Sequence, residues 1–396
     1  MNNEITFSLF LSVKALDSIL RSRAYRNMIL NRNVRIFLDA SVQELSDALG
    51  DSLEESYIGD FLLSKCNGRF FLANEMIAGI LDNPSLCCRF PFSLFVLGIS
   101  NTDAKRIREK YGVLCFSDQT RLRLSPLRFQ KTCFCQKKSS GKSWNSILDE
   151  LSSQPKNTII VNDRYLMAVK EDLAEKNISG IASSLMPSDG FSGELVFFIY
   201  FDAVNEAWAK SFVRSNPNTG LDELNAGFRA AVMNEFEKKA ETVRNTVINA
   251  VKGSYQIRIL CATYIRPLQK GREGDISMST WVDGYDLTHN RRIMTDYFQV
   301  SADYGLIAFD KDGKAEKEQT IVTKGLYCEG LNDSSDIPEE RHRVILTNYA
   351  FKMNHDNMVL SVDGEVVTEP KRIKEYLHGI PIFNPPMELS GTMRLK

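Results

Sequence analysis

Two alternating apolar runs separated by a single helix pattern constrain this chain more than any other feature in it. Ile5, Phe7, Leu9 and Leu11 alternate with smaller or polar residues, which predicts a strand. Ser12 then stands where a helix cap belongs, ahead of Leu16, Ile19, Leu20 and Ile29 at helical spacing. Val34 to Leu38 predicts a second strand, ending at Asp39. Strand, helix and strand in such a short stretch favour a crossover unit with parallel pairing.

The same rhythm continues. Phe70 to Leu72, Phe92 to Ile99 and Val113 to Ser117 predict further strands, and Ser100-Asn-Thr-Asp103 resembles a capping box ahead of a short basic helix. Residues 1–120 are therefore expected to form an open α/β domain. Between Gln119 and Leu148 there is no acidic residue, while Arg121, Arg123, Arg128, Lys131, Lys137, Lys138 and Lys142 supply positive charge among Phe129, Phe134 and Trp144. With Pro126 and Ser139-Ser-Gly141 as breakers, residues 121–154 are expected as a basic linker or arm, with the junction at Gln154-Pro155.

A second α/β domain is expected over residues 155–370. Thr158 to Val161 predicts a strand running into Asn162-Asp-Arg-Tyr165, followed by a helix to about Lys176. Leu195 to Phe201 predicts a buried strand ending at Asp202, Leu221 to Val251 a long helix, and Gln256 to Ala262 another strand. From about Met278 the texture turns antiparallel. Arg291 to Val300, Gly305 to Phe309, Arg343 to Met353 and Val359 to Val362 read as strands, with turns at Asp312-Gly313 and Asp363-Gly364. The fold expected is thus an N-terminal open α/β domain followed by an α/β domain with a mixed, partly antiparallel sheet. Residues 371–396, with Pro381, Pro385 and Pro386, are expected as a surface tail.

Composition narrows the function classes. A formal net charge of −1 leaves no global basic field to attract nucleic acid, so any such contact must come from a local patch. Met1 to Glu4 lacks the positive segment of a signal peptide, Lys14 interrupts the apolar run that follows, and no run approaches the roughly 18 apolar residues of a membrane helix. Cys66, Cys115, Cys261 and Cys328 sit singly, and the pairs Cys87-Cys88 and Cys133-x-Cys135 lack zinc spacing and a nearby histidine. The expectation is a cytoplasmic protein with no membrane contact, no metal and no cofactor.

The most chemistry-like segment is Thr288-His-Asn-Arg-Arg-Ile-Met-Thr-Asp296. On a strand His289, Arg291, Ile293 and Thr295 share one face, which sets an imidazole beside a guanidinium. Histidine can attack phosphorus and arginine can grip two phosphate oxygens. His289-x-Arg291-x4-Asp296 resembles the His-x-Lys-x4-Asp motif of the phospholipase D superfamily, in the style of its divergent members, and Thr158 to Tyr165 is similar to the opening strand of such domains. The resemblance covers at most residues 155–365. It implies His289, Arg291 and Asp296 as catalytic residues, with arginine in place of the family's lysine.

An echo follows 52 residues on, as Arg341-His-Arg343-x4-Asn348, with arginine at the histidine register. Because the family uses two histidines, an active enzyme of this type would pair His289 from two subunits of a homodimer. Arg128, Lys131, Lys137, Lys138, Lys142 and Arg343 are the expected phosphate or nucleic-acid contacts. In the first domain, Asp39 and Asp118 near strand ends resemble the acidic sites of PIN nucleases. The strand ending Gly98-Ile-Ser100 carries no acid, and Glu44 and Glu75 are expected as ordinary helix carboxylates.

Two functions are carried forward. One is an intracellular interaction or regulatory protein with a degenerate phospholipase D-like module, contacting nucleic acid or a protein partner in a bacterial defence or mobile-element system. The other is a homodimeric phosphodiesterase or nuclease using His289 from each subunit.

Overall fold

The computed structural model describes residues 7–21, 34–49, 70–120, 129–187, 190–271, 275–279, 291–326, 344–349, 353, 355–383 and 392–394. Five parallel strands, β1 (Phe7–Ser12), β2 (Val34–Asp39), β3 (Phe70–Leu72), β4 (Ser93–Leu97) and β5 (Leu114–Ser117), form the body of the six-stranded first sheet in the order β3-β2-β1-β4-β5, with the short C-terminal strand Met393–Arg394 antiparallel beside β3. Among the described residues the connections contain the helices Val13–Arg21, Val42–Leu49, Asn74–Asp82 and Asn101–Tyr111. Ser12 Oγ accepts from Ala15 N at 3.1 Å, and Ser100 Oγ accepts from Asp103 N at 3.1 Å.

The second sheet has nine strands. β6 (Gln130–Cys135) lies at one edge. β7 (Thr158–Asn162), β8 (Glu194–Tyr200) and β9 (Gln256–Tyr264) run parallel at its centre. A separate hairpin comprises β10 (Leu268–Lys270) and β11 (Ile276–Met278). The remaining members of the large sheet are β12 (Arg292–Thr295), β13 (Phe298–Ala302), β14 (Gln319–Gly325), β15 (Met358–Val362) and β16 (Glu365–Val367), all paired antiparallel, in the order β16-β15-β9-β8-β7-β12-β13-β14-β6. The α/β class with one parallel and one mixed sheet is therefore as the sequence pattern predicts.

The parallel strands at the centre of both sheets are buried on both faces, which is why they are nearly continuous apolar runs, whereas β6 and β14 at the edge of the second sheet alternate. In the first, Phe10 stacks between Phe37 and Phe95 at centroid distances of 4.8 and 4.4 Å, facing the helices Asn74–Asp82 and Asn101–Tyr111. The alternate residues Leu9, Ile36 and Leu94 face the other way and belong to one cluster with Ile160, Phe198, Leu260 and Met294 of the second sheet. The opposite face of the second sheet, with Phe197, Ile199 and Ile293, is covered by Glu171–Leu185 and the 30-residue helix Leu221–Ala250.

Several expectations change. The basic stretch 121–154 is not simply a linker: β6 pairs with β14, and Trp144, Ile147, Leu148 and Leu151 are core residues. The tail is not merely surface either, because Ile380, Ile382 and Phe383 enter the shared cluster and β17 (Met393–Arg394) pairs with β3. Gly305 to Phe309 is irregular, with a lone bridge from Phe309 to Ala315, since its amides serve side chains instead of a ladder. Leu306 N donates to Asp163 Oδ2 and Ala308 N to Asn177 Oδ1. Residues 344–349 are helical, not a strand, and Ile345, Leu346 and Tyr349 turn one helical face to the core. No helix among the described residues is long and apolar enough to cross a membrane.

The two sheets meet at a close seam. Tyr297 Oη accepts from Leu114 N at 2.8 Å, and Lys110 O accepts from Ser192 N and Gly193 N. Gly112 ends its helix at φ +64°, and a Cβ there would lie 2.2 Å from Lys156 O. Only glycine fits. Gly112→Ala should cost at least about 2 kcal/mol, combining the left-handed backbone penalty with a backbone clash, and should lower the urea midpoint accordingly. Gly313→Ala, with open space around its Cβ, should carry the conformational part of that loss alone.

Candidate functional site

In a parallel sheet, ligands gather where the strands end at their carboxyl termini. For β7, β8 and β9 these ends are Asn162, Tyr200 and Tyr264, and the residues just beyond them include Asp163, Arg164, Tyr165, Asp202 and Arg266. Because β12 runs antiparallel to β7 with Arg292 opposite Asn162, Arg291 arrives at the same end.

The acids there are satisfied internally. Asp163 is buried, and its carboxylate accepts from Leu306 N at 2.7 Å and Tyr165 N at 3.0 Å. Burial raises its pKa, while these two bonds, Arg291 and Arg164 oppose the rise. Gly305, at φ +108°, lets the chain pass so close that a Cβ would stand 3.0 Å from Asp163 Oδ2. Asp202 accepts from Tyr200 Oη at 3.2 Å and lies 3.9 Å from Arg266, which also binds Glu206 at 3.0 Å. Tyr349 Oη donates to Asn162 Oδ1.

What faces outward mixes arginines and aromatic rings with the exposed acids Asp303 and Glu206. The Arg164 and Arg291 guanidinium carbons lie 4.6 and 5.2 Å from the centroid of the Tyr165 ring. Arg291 is held by a 2.9 Å bond from Nη1 to Asp303 O. Tyr165 is 37% exposed and Tyr304, beside Gly305, is 61% exposed. His289 lies outside the described residues.

Asp296 does not join this site. Five residues of extended chain separate it from Arg291, roughly 15 Å at the usual strand rise. It sits instead at the amino end of β7, where Oδ2 accepts from Asn157 N at 2.9 Å and Thr158 N at 3.1 Å. Full burial pushes its pKa up to about 6, against the pull of those amides and of Lys156. Lys156 is itself buried, donates to Ser152 O at 3.0 Å, and is lowered to about 7 by desolvation. The sequence reading missed Lys156, which carries no local signal beyond its place before a strand. It also missed Asn177, whose Oδ1 accepts from Trp144 Nε1, Ala308 N and Phe309 N.

The expected phosphate contacts are dispersed. Lys131 is paired with Asp149 at 2.9 Å and Glu150 at 3.2 Å, Lys138 with Asp310 at 3.6 Å, and Lys142 donates to Phe134 O. Lys137 is exposed, and Arg128 and Arg343 lie outside the described residues. At the carboxyl ends of the first sheet, Asp118 accepts from Ser12 Oγ at 2.7 Å and Glu44 closes a cap with Ser41. Burial, Glu44 and Asp118 together raise the Asp39 pKa. Among the described residues, no three acids, histidines or cysteines are grouped to hold a metal ion.

The fold and its parallel-strand ends define an α/β protein in which a parallel sheet is joined to a mixed one. No protein-family model matches the chain, and no curated protein matches it.

The contrast between the two ends of β12 is measurable. Asp296→Ala leaves two buried amides without an acceptor and should cost about 2–4 kcal/mol in urea unfolding. Arg291→Ala, at the half-exposed end, should cost less than about 1 kcal/mol. Equal losses would contradict the separation of a buried, structural end from a half-exposed one.

Proposed function

We propose that the chain is a nucleic-acid-binding interaction protein, whose second half is a phospholipase D-like module used for binding. The observation that carries this reading is the grouping of Arg164 and Arg291 against the partly exposed Tyr165 ring at the carboxyl end of β7. Guanidinium forks bind phosphate oxygens, and exposed tyrosines stack on unpaired bases, a combination suited to a single strand. Tyr304 extends the aromatic surface beside it. The buried Asp163 carboxylate below is held by the amides of Leu306 and Tyr165 and faces both arginines, which weakens its repulsion of a phosphate at the surface.

Fluorescence anisotropy with a labelled oligothymidylate tests the proposal. Arg164→Ala/Arg291→Ala should bind at least about tenfold more weakly, and its log–log salt slope should fall by about 1.4 for two lost phosphate contacts. Lys131→Ala/Lys138→Ala, whose lysines are held in ion pairs, should stay within about twofold of the native chain. If the arginine variant binds as the native chain does, the proposal fails. Oligonucleotide cleavage that disappears in His289→Ala would replace it with the dimeric phosphodiesterase.

A further inference from the structure

The seam between the sheets encloses a cleft of about 270 Å³. The helix Asn101–Tyr111 and β5 form one wall, and residues 152–156 with Phe191 form the other. Arg108 and Lys156 bring positive charge to it, Phe116 and Phe191 bring flat apolar surface, and Gln154 brings hydrogen-bonding groups. The one acid among the described lining residues is Glu109, which is exposed and 3.7 Å from Lys105.

Three features distinguish this cleft from a packing defect. Lys156 is 2% exposed, and its hydrogen bond goes to the neutral carbonyl of Ser152. A buried ammonium is costly unless a counter-charge meets it. Behind it, Asp296 Oδ1 and Asn157 Nδ2 are buried without hydrogen-bond partners, so the nearby carboxylate acts on the lysine without binding it. Arg108 is fixed over Phe116, with its guanidinium 5.3 Å from the ring centroid, and donates to Cys115 O. A second cation is thereby held at the wall opposite Lys156. An anion between the two cations would add to the negative charge that Asp296 already supplies to Lys156, and its body would fill the space between the rings. Clefts where two structural units meet are common places for such ligands.

We propose that this cleft binds a small, flat organic anion, with Lys156 as its cationic anchor, Arg108 as a second charge contact, and Phe116 and Phe191 as its apolar walls.

Pyridoxal 5′-phosphate serves as a probe, being flat, anionic and reactive toward an unprotonated amine. The lysine nitrogen adds to the aldehyde carbon, water leaves, and added borohydride delivers hydride to the imine, fixing a secondary amine for peptide mass mapping. In the full chain, Lys156 should label saturably and at least tenfold faster than the exposed Lys105 and Lys371. Excess benzoate should slow labelling at Lys156 and leave Lys105 unchanged. Lys156→Met should remove that label, and Arg108→Gln, which keeps the amine, should raise the half-saturating concentration at least threefold. Labelling of Lys156 no faster than the exposed lysines would overturn the proposal. So would a linear dependence on probe concentration, or indifference to both benzoate and Arg108→Gln.

Discussion

Two consecutive residues at the end of β12 hold the molecule together. The Asp296 carboxylate receives the amides of Asn157 and Thr158, which fixes where β7 begins. The Tyr297 hydroxyl receives the amide of Leu114, which fixes β5 of the other sheet against the same point. Both groups are buried, so each polar contact must be satisfied or its full desolvation cost is felt. Around them runs one apolar cluster that takes residues from both sheets, from the helical segment 344–349 and from the C-terminal segment up to Phe383. The two sheets therefore share a core in addition to the separate ones on their outer faces.

This dependence explains which parts were legible from residues alone. The parallel strands were readable because burial on both faces demands unbroken apolar runs, and β1, β2, β4, β7, β8 and β9 all fall within a residue or two of their patterns. The helix Leu221–Ala250 was readable from its 3.6-residue period. Segments whose partners are distant in sequence were not. Residues 344–349 read as a strand by analogy with 291–297, but their environment is the shared core and not a ladder. Residues 305–309 alternate like a strand, yet their amides answer Asp163 and Asn177, which lie more than 100 positions earlier. The edge strand β6 was hidden by its alternating exposed residues and by Lys131, which points outward to Asp149 and Glu150 of the short helix Asp149–Ser152.

The motif over residues 289–296 shows the same limit. Its spacing suggested three residues at one site, but strand direction sends Arg291 and Asp296 to opposite ends of β12. The arginine joins Arg164 and Tyr165 where the parallel strands end, beside the exposed Asp303 and Tyr304. The aspartate becomes a structural acceptor at the seam, next to the buried Lys156 that lines the cleft. One sequence motif thus contributes to two places with different physics: a partly exposed surface where arginines lie against a tyrosine ring, and an inner seam whose charges are only partly compensated.

The seam makes the two sheets one cooperative unit. Native-state hydrogen exchange across a urea series, read by mass spectrometry, tests it most directly. Peptides covering β1 and β4 should share one opening free energy with peptides covering β7 and β8, and should lose protection together as urea rises. If β1 and β4 open at clearly lower urea than β7 and β8, the sheets fold as independent domains and the seam is not the constraint on which the structure depends.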